Sequence, residues 1–142
     1  MSDERIEIEL TLERAGGDDV PAGLPTGEDL RRLVETTAAA AGVHDGHLAI
    51  SIVDAGAIHL LNREHRGKDA PTDVLSFPID GAGPVFGPRE IGDVVICPEH
   101  TVDLREAVVH GVLHLVGFDH EVDDGEMLAV QAQILSWLPA PD

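Results

Sequence analysis

Apolar residues alternate with polar ones near the start of the chain. Ile6, Ile8, Leu10 and Leu12 share one side of an extended segment and predict a first strand with one buried face. Residues 15–25, rich in Gly, Asp and Pro, predict a loop. The period then changes: Leu30, Leu33, Val34, Ala38 and Ala41 recur at helical spacing. Thr26 followed by Asp29 resembles a capping box for that helix, and Gly42 ends it. Leu48 to Val53 predicts a second strand. Asp54 is placed to cap a helix carrying Ile58, Leu60 and Leu61, which stops near Gly67. Val74 to Ile79 predicts a short strand, and Pro78, which cannot donate to a ladder, confines it to an edge or a strand end. Residues 80–90, with three Gly and two Pro, form a loop. Ile91 to Cys97 predicts another strand, with Pro98 beyond it. Asp103 and Glu106 can cap a helix that runs to about Leu115, and Gly117 lets the chain turn. A last helix spans about Asp123 to Leu138, with Met127, Val130, Ile134 and Leu138 on one face and Pro139 as its stop. The order β-α-β-α-β-β-α-α predicts an α+β fold, a small mixed sheet packed with helices. There is no internal repeat, and residues 1–142 read as one domain.

Composition narrows the classes. Hydrophobic residues make up 43%, enough for a sizeable core, so disorder is excluded as the main state. No apolar run approaches the ~18–20 residues of a membrane span. The opening residues, Met1-Ser2-Asp3-Glu4-Arg5, have neither the basic start nor the apolar stretch of a secretory signal, and the default compartment is the cytoplasm. One cysteine, Cys97, excludes an internal disulfide framework and a cysteine-based zinc finger, and is expected to be a buried small hydrophobe. A tightly held metal would therefore rely on His, Asp or Glu. The 27 acids against 9 bases give a net charge of −18, and Lys68 is the sole lysine. Such a surface disfavours generic attraction to nucleic acid or an anionic membrane. A saline cytoplasm and a simply acidic surface both account for it.

The chemistry concentrates in His110-Gly111-Val112-Leu113-His114-Leu115-Val116-Gly117-Phe118-Asp119-His120. His110 and His114 are four apart and share one helix face. The rest of that helix is nearly all apolar, so the two imidazoles are expected together in a buried, low-dielectric place. Gly117 allows a reversal that brings His120 back toward them. A lone His on an apolar helix is an ordinary core residue, but three imidazoles converging through such a turn form a tetrahedral metal site with one position open. An open position marks a catalytic metal. The spacing matches the long zincin motif, with Gly111 where the peptidases carry their general base. The metal site survives that comparison, and the peptidase mechanism loses its base. The expected architecture is thus zincin-like in its metal-binding helix and turn.

Other blocks join this one in order. They are Leu61-Asn62, then Arg66-Gly67-Lys68-Asp69, then Pro71-Thr72-Asp73-Val74-Leu75-Ser76-Phe77-Pro78. Gly92-Asp93-Val94-Val95-Ile96 follows, and Met127, Gln131 and Ile134-Leu135 come last. Together with His110–His120 they resemble the YbeY family of bacterial endoribonucleases and ribosomal-RNA maturation factors. The likeness covers about residues 48–137; the first 45 residues fit only in their strand–helix pattern. Pro98 to Val109 is shorter than the family's corresponding segment, and His65 stands where an aromatic residue is usual.

The resemblance implies zinc-dependent hydrolysis of single-stranded RNA, with ribosomal-RNA precursors as substrates and ribosomal proteins or assembly GTPases as partners. It implies one Zn2+ per chain on His110, His114 and His120; nickel or another divalent transition metal would also accept three imidazoles. His114 and Arg66 are the catalytic candidates, with Arg66 the cation for the developing phosphoryl charge. Arg63, Arg66 and Lys68 place three of the nine cations close together, the most plausible RNA footprint in so acidic a chain. Asp119 can orient a ligand imidazole or a water, or simply stabilise the turn. Thr72, Asp73 and Ser76 are expected at the cleft border, with Asp73 able to fix Arg66. His44, His47, His59 and His100 are read as ordinary surface or core residues. Two other readings stand beside the nuclease: a ribosome-associated assembly factor with a mainly structural metal, and a metallopeptidase, which Gly111 disfavours.

Overall fold

The computed structural model describes residues 5–13 and 19–141; residues 1–4, part of the predicted 15–25 loop, and Asp142 lie outside them. The alternating segments became strands and the 3.6-spaced ones helices, in the expected order. The strands are β1 (Ile6–Glu13), β2 (Gly46–Val53), β3 (Val74–Pro78) and β4 (Glu90–Ile96). The helices are α1 (Gly27–Ala39), α2 (Ala55–Arg66), α3 (Leu104–Leu115) and α4 (Glu126–Trp137), with a short 3-10 turn at Pro98–His100. The sheet order is β1-β2-β4-β3. β1 and β4 run parallel to β2, and β3 pairs antiparallel to β4. The sheet is therefore mixed, and Pro78 ends an edge strand as its missing N–H requires.

The pleat divides the core between the two faces of the sheet. On one face Leu48, Ile50, Ile52, Val94 and Ile96 meet Leu30 and Val34 of α1 and Val108 and Val112 of α3. On the other, Val53, Leu75, Val95 and the buried Cys97 meet Ile58 of α2. A further cluster of Leu33, Val109, Leu113, Met127 and Ile134 seats α4 on α1 and α3. Arg105 fastens these three helices: it forms an ion pair with Asp29 and donates to the Leu138 carbonyl.

Two local expectations needed correction. Thr26 occupies the N-cap of α1, but its side chain makes no capping hydrogen bond. The Asp29 carboxylate is held by Arg105 instead, and a tertiary ion pair replaces the capping box. α2 carries Leu60 as read, on its exposed side. The last helix begins at Glu126, because Asp123 accepts from the backbone N–H groups of Gly125 and Met127 and so sits ahead of the helix. The other caps formed as read: Asp54 accepts from Ala57 N–H, and Asp103 from Arg105 and Glu106 N–H.

Candidate metal centre

α3 owes its position to a residue without a side chain. A Cβ on Gly111 would lie 2.6 Å from a Val94 methyl and 3.3 Å from one of Val74, so the helix backbone rests directly on β4 and β3. Ser76 locks the contact by donating to the Gly111 carbonyl at 2.8 Å. The same closeness explains why no general-base Glu stands here: it would have to occupy Val94.

With that face pressed to the sheet, His110 and His114 line a cleft bordered by β3. Gly117 has φ 106°, a left-handed conformation that glycine adopts freely, and it turns the chain back. His120 then joins the pair. One ring nitrogen from each histidine lies within 4.8 Å of the other two. His110 and His114 are half-buried and His120 is exposed, so the pair is less enclosed than the apolar helix suggested. The helix is buried on its other sides, and the imidazoles sit at the rim of the core.

Two contacts orient the rings. His110 Nδ1 is 2.9 Å from Gln131 Oε1, an acceptor, which leaves Nε2 with its lone pair free to face the centre. The His114 pKa is lowered, first by burial and then by His110 and His120; its bond to the Phe118 backbone opposes this. A neutral, oriented imidazole is the form that binds metal. The donor set therefore fits a divalent transition metal, with His110, His114 and His120 as its holders.

The three histidines line a cleft of about 880 Å³. It is lined as well by His65, Arg66, Lys68, Thr72, Asp73 and Ser76, all from the end of α2 through β3. His65 stands edge-on to Phe77, ring centroids 5.0 Å apart. Asp119 also lines the cleft, and its carboxylate accepts from Glu121 N–H at 3.0 Å, which is a turn-stabilising bond. Asp73 accepts from Val74 N–H and Thr72 Oγ1 rather than from Arg66. Arg66 faces Glu121, Nη2 to Oε1 3.8 Å. Arg63, one turn earlier on α2, is not among the cleft's lining residues. His47 and His59 bond Glu90 and Asp69, away from the cluster. The Glu90 bond raises the His47 pKa, and the His59 bond lowers that of Asp69.

Two site residues escaped sequence reasoning in their roles. Gln131 was visible as a polar position inside the buried Met127–Ile134 stripe of α4, which is the signal of a buried hydrogen bond. Glu121 carried no signal, because its meeting with Arg66 depends on how the end of α2 faces the turn.

Residues 26–138 match the family described as Endoribonuclease YbeY. Curated relatives with that same name include one from Rubrobacter xylanophilus, 46% identical over 63% of this chain and 66% of its own length. Another, from Azorhizobium caulinodans, is 36% identical over 96% of this chain and 95% of its own. A third, from Alkalilimnicola ehrlichii, is 41% identical over 85% and 82%. The solution structure of a Thermotoga maritima protein is similar in fold: TM-score 0.53, 27% identity, 92% of this chain and 88% of that one covered.

Proposed function

The chain belongs to the YbeY family of endoribonucleases and is an RNA-cleaving hydrolase, and we propose that it cuts single-stranded RNA in the cleft between the His110–His114–His120 centre and the β3 wall, with one zinc per chain. The observation that supports this best is the convergence of three imidazoles, two of them oriented by hydrogen bonds, on a cleft that Arg66 and Lys68 also line. A divalent metal held there supplies Lewis acidity and lowers the pKa of water beside it. The protein's own groups do the rest. Gln131 and the Phe118 carbonyl fix the ligand rings. Arg66 grips a phosphoryl oxygen and stabilises the charge that grows in the transition state. Lys68, Thr72, Asp73 and Ser76 border the strand's path, and Asp119 holds the turn that carries His120. Arg63 adds positive potential from outside the cleft.

Precursors of ribosomal RNA are the proposed substrates, in the cytoplasm, with ribosomal proteins or assembly GTPases as partners; residues 1–142 act as one domain. Among the described residues no helix is long and apolar enough to cross a membrane. An assembly factor with a structural metal is the weaker reading, because structural zinc sites are closed by a fourth protein ligand. The test pairs metal analysis of protein purified without a chelating column with cleavage of a single-stranded RNA before and after metal removal. We expect His114→Ala to lose both metal and cleavage. Arg66→Ala should keep its metal while losing about 2–4 kcal/mol of transition-state stabilisation. Arg66→Lys should recover only part of that, since lysine lacks the planar fork. Full metal in His114→Ala, or cleavage that persists without metal, overturns the assignment.

A further inference from the structure

Arg66 does not stand free in the cleft. Its Nη2 lies 3.8 Å from Glu121 Oε1, and both residues line the same space. The other cleft acids are committed to the backbone, Asp73 to Val74 N–H and Asp119 to Glu121 N–H. Among the described residues, the Glu121 side chain has Arg66 as its partner. Its turn is ordered by the Asp119 bond, so the carboxylate is presented to Arg66 from a fixed backbone.

A carboxylate and a phosphodiester make the same demand on a guanidinium: both are anionic acceptors that its fork can grip. We propose that Glu121 is an internal competitor for RNA phosphate at Arg66, and that it lowers the enzyme's affinity for substrate. The inference rests on Arg66 as the phosphate-gripping cation. The two side chains are 41% and 64% exposed, so the pair is weak and readily displaced. A strand that also engages Lys68 on the same wall brings a second phosphate and displaces Glu121 more effectively than a single phosphate group does. Glu121 therefore favours extended oligonucleotides over mononucleotides.

The test measures binding separately from cleavage. Fluorescence anisotropy of a labelled single-stranded RNA, read by stopped flow before cleavage, compares the metal-loaded wild type with Glu121→Gln, Arg66→Ala and the double variant. Glu121→Ala serves as a second replacement, and circular dichroism with metal analysis checks that each variant is intact. We expect Glu121→Gln to bind about two- to five-fold tighter, the range that an exposed pair allows. The gain should shrink as salt rises and vanish in the Arg66→Ala background. No gain in either Glu121 variant overturns the proposal, as does a gain that survives without Arg66, which would be a general charge effect. Arg66→Ala binding RNA as well as wild type would remove the reading beneath it too.

Discussion

A histidine offers a metal one ring nitrogen, and what the other nitrogen touches decides which. For His110 that partner is Gln131, whose Oε1 accepts from Nδ1. Gln131→Leu keeps the volume of a buried side chain but removes the acceptor, so the His110 ring is no longer held in one orientation. We expect metal affinity to fall about 10–100-fold, measured by competition with a chromophoric chelator. Unchanged affinity would mean that α3 alone orients the ring. The three histidines were legible because helical spacing plus one glycine defines their convergence locally. Arg66 was legible from its block, but its pairing with Glu121 was not, because no periodicity relates the end of α2 to the turn after α3. The same limit put Asp73 beside Arg66 in expectation, whereas its carboxylate is taken by the neighbouring Val74 N–H.

At the level of elements, the contact that positions the site is α3 lying on β3 and β4 at Gly111. A methyl there meets Val94 at 2.6 Å, and the buried strand has little room to yield. Gly111→Ala should therefore destabilise the protein by about 1–3 kcal/mol, the usual cost of overpacking a core. A urea midpoint that falls at unchanged m-value is the expected readout; an unchanged midpoint would show that the helix lifts at no cost. Most element identities were readable, since alternation and helical spacing are dictated by which face is buried. Their ends were less so. Asp123 looked like a helix start, and it does bond the first turn, but from three residues ahead of Glu126. Leu60 fits the spacing of α2, yet the helix covers the sheet only with Ile58 and its neighbours. Thr26 and Asp29 had the right spacing for a cap, but a long-range arginine claimed the acid.

For the whole molecule, the net charge of −18 opposes both compactness and RNA approach. At 0.01 M salt the screening length is ~30 Å, so acids across the surface repel each other and the substrate. At 0.1 M it is ~10 Å, which spares the close contacts proposed for Arg66 and Lys68. Melting temperature and cleavage rate are therefore both expected to rise from low to moderate salt, measured by thermal scans and initial rates in parallel. A rate that falls steadily from the lowest salt upward, at unchanged stability, would show that the local cations dominate and would leave the saline-cytoplasm reading unsupported. The two walls of the cleft also differ in how the chain supplies them. The three candidate metal donors come from one short stretch, His110 to His120, whereas the wall proposed to grip RNA is an edge strand and the helix end before it. A molecule whose outer strand has peeled away loses the Ser76 lock but still carries its donors in one stretch, seated on β4 at Gly111 and braced by Gln131, and has nowhere to lay a substrate. Metal stoichiometry thus reports on one half of the active site only, and a preparation can assay as fully loaded while its active fraction is small.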